Sequence, residues 1–347
     1  MKTKLLLAAC LFWAIPSTFG QTGGNNAFAF LDLTYNARQM GLANDFISVM
    51  DADINIGVAN PSMLNPEMQN MLSVNQALLP GGINFGMGSY GFGFKDKGTM
   101  SGFVKYVSYG TFQRTSANGS LEGTFSPVEM IAGAGYGQQL NERLSVGANL
   151  YAIFSSMENY SSFGAAIDLA GTYYDKDKGF AATALVKNAG FQFNAYTENS
   201  TRAQLPVEFQ MAVSYKLAHA PFRFSILAHH LNQWDITYND PNLQPTIDAL
   251  TGDTIPVPRA NFAEKLARHF TYQVETIISK NIHFRLGFDY HRRRELALSQ
   301  RPGAAGFSLG LGLYFNKFRL DYGFMINSRA GYNNMITFST QLDKWRK

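Results

Sequence analysis

From about Met68 towards the C-terminus, segment after segment places an apolar residue at every second position. A period of two belongs to strands whose two faces meet different surroundings. Phe307, Leu309, Leu311, Leu313 and Phe315 alternate with Gly306, Ser308, Gly310, Gly312 and Tyr314. Phe318, Leu320, Tyr322, Phe324 and Ile326 alternate with Arg319, Asp321, Gly323 and Asn327. Ile282, Phe284, Leu286, Phe288 and Tyr290 oppose His283, Arg285, Gly287, Asp289 and His291. A soluble sandwich also alternates, but its polar face is then its solvent side. Here charges and glycines gather on one face over many strands, the pattern of a barrel with lipid outside and a polar interior.

The alternation predicts strands at 68–78, 82–94, 99–113, 126–138, 143–155, 160–174, 179–188, 205–217, 221–233, 268–279, 282–291, 305–315, 317–327 and 332–342. Their connections alternate in length. Lys95 to Gly98, Gln139 to Glu142, Asp175 to Lys178, Ala218 to Ala220, Lys280-Asn281 and Asn316 are short. The intervening set holds the long ones, 115–125, 189–204, 234–267 and 292–304. Bacterial barrels have short periplasmic turns and longer outer loops. The phase therefore predicts an all-β transmembrane antiparallel barrel of about fourteen strands over 67–343, in the outer membrane, with both termini periplasmic.

Composition excludes the other way of crossing a bilayer. A hydrophobic fraction of 46% goes with a mean hydropathy of −0.12, and no apolar run after residue 20 has helix-spanning length. Only helices and closed barrels satisfy the backbone in lipid, so strands must carry any span. A net charge of +4 over 347 residues gives no reason to expect a nucleic-acid partner.

Residues 1–20 read as a signal peptide, with Lys2 and Lys4, the apolar stretch Leu5 to Ile15, and Pro16 to Gly20 before a cut. Cys10 sits in a local lipoprotein-like box, but the apolar segment continues past it, which argues against a lipid anchor. Beyond Cys10 the chain has no thiol, which fits an oxidising envelope compartment. Residues 21–66 do not alternate and contain Ala59-Asn60-Pro61-Ser62-Met63-Leu64-Asn65-Pro66, a turn-rich stretch too long for a tether. They are expected to form an N-terminal periplasmic segment and a hatch in the lumen.

Several motifs imitate chemistry. Gly86 to Gly91 fits GxGxxG, but a strand rather than a helix follows. Gly306 to Gly310 fits GxSxG, yet the strand continues and no His follows Ser308. His229 and His230 are adjacent, and neighbours on one strand point to opposite faces, so no shared metal is expected. No catalytic set can be assembled, so the expectation is a non-enzyme without cofactor or metal. The outer loops hold the remaining candidates. His291-Arg292-Arg293-Arg294 suits phosphates of lipopolysaccharide, although a solvated basic loop reads equally well. The loop from Trp234 contains Asn261 and Glu264 at capping-box spacing around Phe262, and is expected to act as a docking surface.

Phe30-Leu31-Asp32-Leu33, Asn36-Ala37-Arg38, Gly41-Leu42-Ala43 and Ala59 to Leu64 resemble the opening of the PorQ family of type IX secretion proteins of Bacteroidetes. That family is related to PorV and, more distantly, to the FadL fatty-acid transporters. Thr34-Tyr35-Asn36 and Gly41 to Asn44 depart from the family's pattern, which leaves PorV-like relatives open. The resemblance implies a FadL-like barrel with a hatch in which Arg38, Asn60 and Pro61 are the candidate residues. It also implies a membrane anchor holding a PorZ-like surface protein, with PorU and PorV in the same complex, for attachment of cargo to lipopolysaccharide. Trp234, Phe262, Arg292, Arg293 and Arg294 are the candidate contacts to that partner or to lipopolysaccharide. The alternative is transport of hydrophobic compounds, with the hatch around Asn60-Pro61 as its gate.

Overall fold

The computed structural model describes residues 26–79, 82–94, 98–197, 200–238, 244–247, 250–257, 259–297, 303–328 and 331–345. The expected signal peptide and Cys10 lie outside these residues. Fourteen antiparallel strands close into one barrel. They are β1 Met71–Leu78, β2 Asn84–Phe94, β3 Gly98–Ser108, β4 Val128–Gln139, β5 Leu144–Met157, β6 Tyr160–Asp175 and β7 Phe180–Gln192. The second half comprises β8 Glu208–Lys216, β9 Phe222–Ala228, β10 Phe270–Ile277, β11 Ile282–Asp289, β12 Phe307–Tyr314, β13 Phe318–Ser328 and β14 Gly331–Gln341. The seam is the pairing of β1 with β14, from Met71 opposite Gln341 to Leu78 opposite Asn334. Closure leaves no edge strand with unpaired backbone, as a bilayer demands.

The alternation sorts as the sequence implies. Phe284, Leu286, Leu309 and Tyr322 point outwards and are exposed, whereas Arg285, Asp289, Ser308 and Asp321 are buried in the interior. The two enzyme-like motifs are strand, in β2 and β12.

Strand ends differ from expectation where local chemistry competes with the sheet. The third strand stops at Ser108, and Phe112–Thr115 pairs with Leu121–Phe125 as a separate hairpin, with Phe112 stacked on Phe125. The ninth strand stops at Ala228, because His230 takes a positive φ of 55°. The eleventh stops at Asp289, whose side chain caps a short helix, Tyr290–Leu296. In the longest loop Asn261 caps the helix Phe262–Arg268 by accepting from Glu264 N at 2.8 Å, as the spacing predicts. The first strand begins at Met71 rather than 68, after two short 3₁₀ turns, Pro61–Met63 and Pro66–Met68.

Residues 27–68 lie inside the barrel. They include the short helices α1 Ala37–Met40 and α2 Ile54–Ala59, and most of their residues are buried. Ala27 N donates to Gln204 O at the long-loop end, and the segment runs down the lumen to β1 at the short-turn end. The C-terminal turn Leu342–Trp345 is also at the short-turn end. The expectation of two periplasmic termini falls, for the N-terminus, on residues outside those described.

Candidate functional site

Inward-facing positions change character along the lumen. Towards the long-loop end one sector is apolar: Ala77, Phe85, Val107, Ile131, Ile153 and Ala166 cluster with Phe28, Phe30, Leu31 and Tyr35 of the inner segment, beside the buried polar Glu129, Ser155 and Gln192. Small barrels more often fill this space with polar groups. An apolar lining attracts apolar matter, whether the chain's own side chains or a ligand.

Towards the short-turn end the lumen is charged. Arg38 on α1 reaches Glu275 of β10 at 2.8 Å, Asp51 at 2.7 Å and Asp53 at 3.2 Å, with Phe46 5.0 Å beneath its guanidinium. Arg223 bridges Asp51 at 3.0 Å and Glu275 at 2.7 Å. Arg285 joins Glu275 at 3.0 Å to Asp321 at 2.7 Å, and Arg319 joins Asp53 at 2.7 Å to Asp321. Four arginines thus face four carboxylates, and the cluster is neutral. Burial alone would raise Asp51 and Asp53, but Arg223 and Arg38 outweigh it for Asp51, and Arg319 and Arg38 for Asp53, so both carboxyls are held below their ordinary value. Of the sequence candidates, Arg38 sits at the centre of this network. Its partners were not singled out, although charged residues on the inward register of β9, β10, β11 and β13 were the available signal.

Asn60 and Pro61 hold the segment's lower turn. Asn60 Oδ1 accepts from Ser62 N at 3.0 Å and Ser62 Oγ at 2.7 Å, while Asn60 Nδ2 donates to Ile47 O at 2.6 Å. Pro61 starts the 3₁₀ turn, where its missing N–H costs nothing. Its carbonyl lies against Gly137 and Gly147, where any Cβ would collide with it. Gly91 meets Met68 O, Gly287 meets Leu42 and Gly323 meets Ala37 O in the same way. The inner wall is notched wherever the segment's backbone touches it.

Between the segment and β2, β3, β5, β6 and β7 a small cavity of about 30 Å³ remains, lined by Leu33, Tyr35, Met87, Lys105, Tyr151 and Asp168 among others. Asp168, on the inward register of β6, faces it and accepts from Tyr151 Oη at 2.9 Å and from Asn188 N at 2.8 Å, where Asn188 takes a positive φ of 57° at a bulge in β7. Lys105 Nζ lies 5.2 Å above the Tyr35 ring and 5.4 Å above Phe103.

At the long-loop end the side chains of the basic trio go to three different partners. Arg292 turns inwards and donates to Ala43 O at 2.9 Å. Arg293 donates to Gly303 O at 2.7 Å, and Arg294 to Glu264 Oε1 at 2.7 Å. All three lie in the helix Tyr290–Leu296 rather than in a loop. Trp234 and Phe262 do come together, their rings 5.1 Å apart and both exposed. The expectation that His229 and His230 face apart is also corrected. The positive φ at His230 breaks the strand's alternation and brings the two Nδ1 atoms to 2.8 Å. Burial pushes His229 and His291 down to about 4, so both imidazoles are neutral at pH 7.

The barrel is similar to solved membrane channels. The toluene transporter TodX of Pseudomonas putida shares 13% identity at a TM-score of 0.52, covering 89% of this chain and 99% of that one. A deltaS2 mutant of the TodX monoaromatic hydrocarbon channel gives 12% identity and 0.53, covering 88% and 98%. No protein-family model and no curated protein matches the chain. At such identities the likeness establishes the fold, a fourteen-stranded membrane β-barrel of the TodX type.

Proposed function

We propose that the protein passes small hydrophobic compounds through the outer membrane, with residues 27–68 as the gate. The observation that carries this reading is the two-part lumen. An apolar chamber filled by Phe28, Phe30 and Leu31 of the inner segment lies towards the long-loop end, and the segment is pinned by ion pairs at the short-turn end. A compound entering from the long loops would displace Phe28, Phe30 and Leu31 from their apolar seats, and movement of the segment around Arg38 would release it below. TodX, a toluene transporter, has the same fold, which supports an aromatic or aliphatic hydrocarbon as cargo. The protein is then a non-enzymatic channel with its long loops at the cell surface.

The test is uptake of labelled toluene and of a labelled fatty acid by cells with and without the gene, and by proteoliposomes. Uptake above the level of protein-free vesicles, lost when Ile131→Glu and Ile153→Glu put charges in the chamber, supports the reading. Uptake equal with and without the protein overturns it.

A second reading keeps the type IX secretion anchor. Its supporting observation is the ordered loop surface. The helices Phe262–Arg268 and Tyr290–Leu296 are tied through Glu264, which takes Arg268 at 3.0 Å and Arg294 at 2.7 Å, and they present Trp234 and Phe262. Exposed, rigid aromatics are the usual centres of protein interfaces. A PorZ-like partner co-purifying from solubilised membranes, together with loss of surface-attached cargo on deletion and unchanged uptake, would favour this reading over transport.

A further inference from the structure

We infer that the long-loop end carries a binding site for one zinc-class divalent ion, formed by Glu208, His229 and His230, with His291 poised as a fourth ligand. One ligand atom from each of the first three lies within 4.8 Å of the others. They come from separate places in the chain, since Glu208 opens β8 and the histidines follow β9. Glu208 Oε1 is 3.3 Å from His230 Nδ1, and His230 Nδ1 is 2.8 Å from His229 Nδ1.

A carboxylate and two imidazole nitrogens aimed at one point make the donor set that zinc prefers. With only a proton between the two rings, His229 Nε2 stays buried and without a partner, as does His291 Nδ1. Unpartnered polar atoms in a buried position are costly, and an ion that takes His291 Nδ1 as its fourth ligand would satisfy one of them.

Ring spacing supports the count of ligands. A metal–nitrogen distance of about 2 Å plus the ring radius puts imidazoles on one tetrahedral ion roughly 5 Å apart, centre to centre. His229 and His230 are 5.1 Å apart. His291 is 6.4 Å from the first and 6.3 Å from the second, so a shift of about 1 Å, available to a ring on a short helix, completes the set. His230, 39% exposed, leaves an approach from solvent. The ion would tie the ends of β8 and β9 to the helix Tyr290–Leu296, and so brace the rim over the lumen independently of what the channel carries.

The test uses the full mature chain, purified in detergent without a histidine tag and stripped with chelator. Zn²⁺ titration is expected to show one ion per barrel, and Co²⁺ the visible absorption of a four- or five-coordinate nitrogen–oxygen site. Glu208→Gln and His230→Ala should each weaken Zn²⁺ by on the order of 100-fold, His291→Ala should change the Co²⁺ spectrum, and His219→Ala in a short turn should change neither. Heat-dependent gel migration reports whether each variant has closed its barrel. If His229→Ala does not fold, the half-exposed His230 decides. Absence of stoichiometric binding, or equal affinity in folded Glu208→Gln and His230→Ala, would overturn the site.

Discussion

Arg38 and Glu275 form a two-pronged pair, Nε to Oε1 and Nη2 to Oε2, each 2.8 Å, between a four-residue helix inside the barrel and the tenth strand of its wall. Because both side chains are buried and share their charges with Arg223, Arg285, Asp51 and Asp53, the pair acts as the latch of the inner segment.

Arg38→Ala leaves Glu275 and Asp53 short of a buried cation. Removing one member of such a set costs about 3 kcal/mol, and a cycle with Glu275→Gln should recover part of that loss. Urea unfolding in detergent measures the stability, and single-channel recordings should show more frequent opening in Arg38→Ala. Unchanged conductance would separate the latch from gating.

Gly287→Val places side-chain atoms where Leu42 of the segment now touches the wall. Overpacking of this kind costs about 1–3 kcal/mol and should push the segment aside rather than break the strand, which keeps its ladder with β10 and β12. Protease cleavage within residues 40–50 should accelerate while heat-dependent migration stays that of a closed barrel.

Acid should loosen the latch. Asp51 and Asp53 are held below the ordinary value of 3.8, so their contribution is fully present above that value and is lost as the pH falls beneath it. Protease access to residues 40–50 is therefore expected to be flat from neutral pH down to about 5 and to rise below 4. A rise that begins at neutral pH would point to a different group.

Glu264→Ala cuts the shared tie to Arg268 and Arg294. The pair to the half-exposed Arg294 is worth less than about 1 kcal/mol, and Arg268 keeps Glu295 as a partner, so global stability should move little. Amide exchange across Phe262–Arg268 should speed up, and any partner that docks on Trp234 and Phe262 should bind more weakly.

The strands were legible because a lipid face and a lumen face impose period two directly on the sequence. What alternation could not show is where strands give way to local hydrogen bonding. Asp289 capping a helix and the left-handed turn at His230 each end a strand inside a run whose pattern continues. The latch was half hidden for another reason: the resemblance names Arg38, but Glu275 lies 237 positions away and nothing in the sequence joins the two. The apolar chamber blurred its own signal. In Met130-Ile131-Ala132 and Tyr151-Ala152-Ile153-Phe154 both registers are apolar, so neither face stands out.

The notched wall also bears on how the molecule is made. Gly91, Gly137, Gly147, Gly287 and Gly323 touch backbone of the inner segment from strands spread through the sheet, and Gly41 and Gly310 sit against each other with no room for a methyl group between them. The earliest part of the described chain is thus seated against strands from both halves of the sheet, and the seam from Met71–Gln341 to Leu78–Asn334 encloses it.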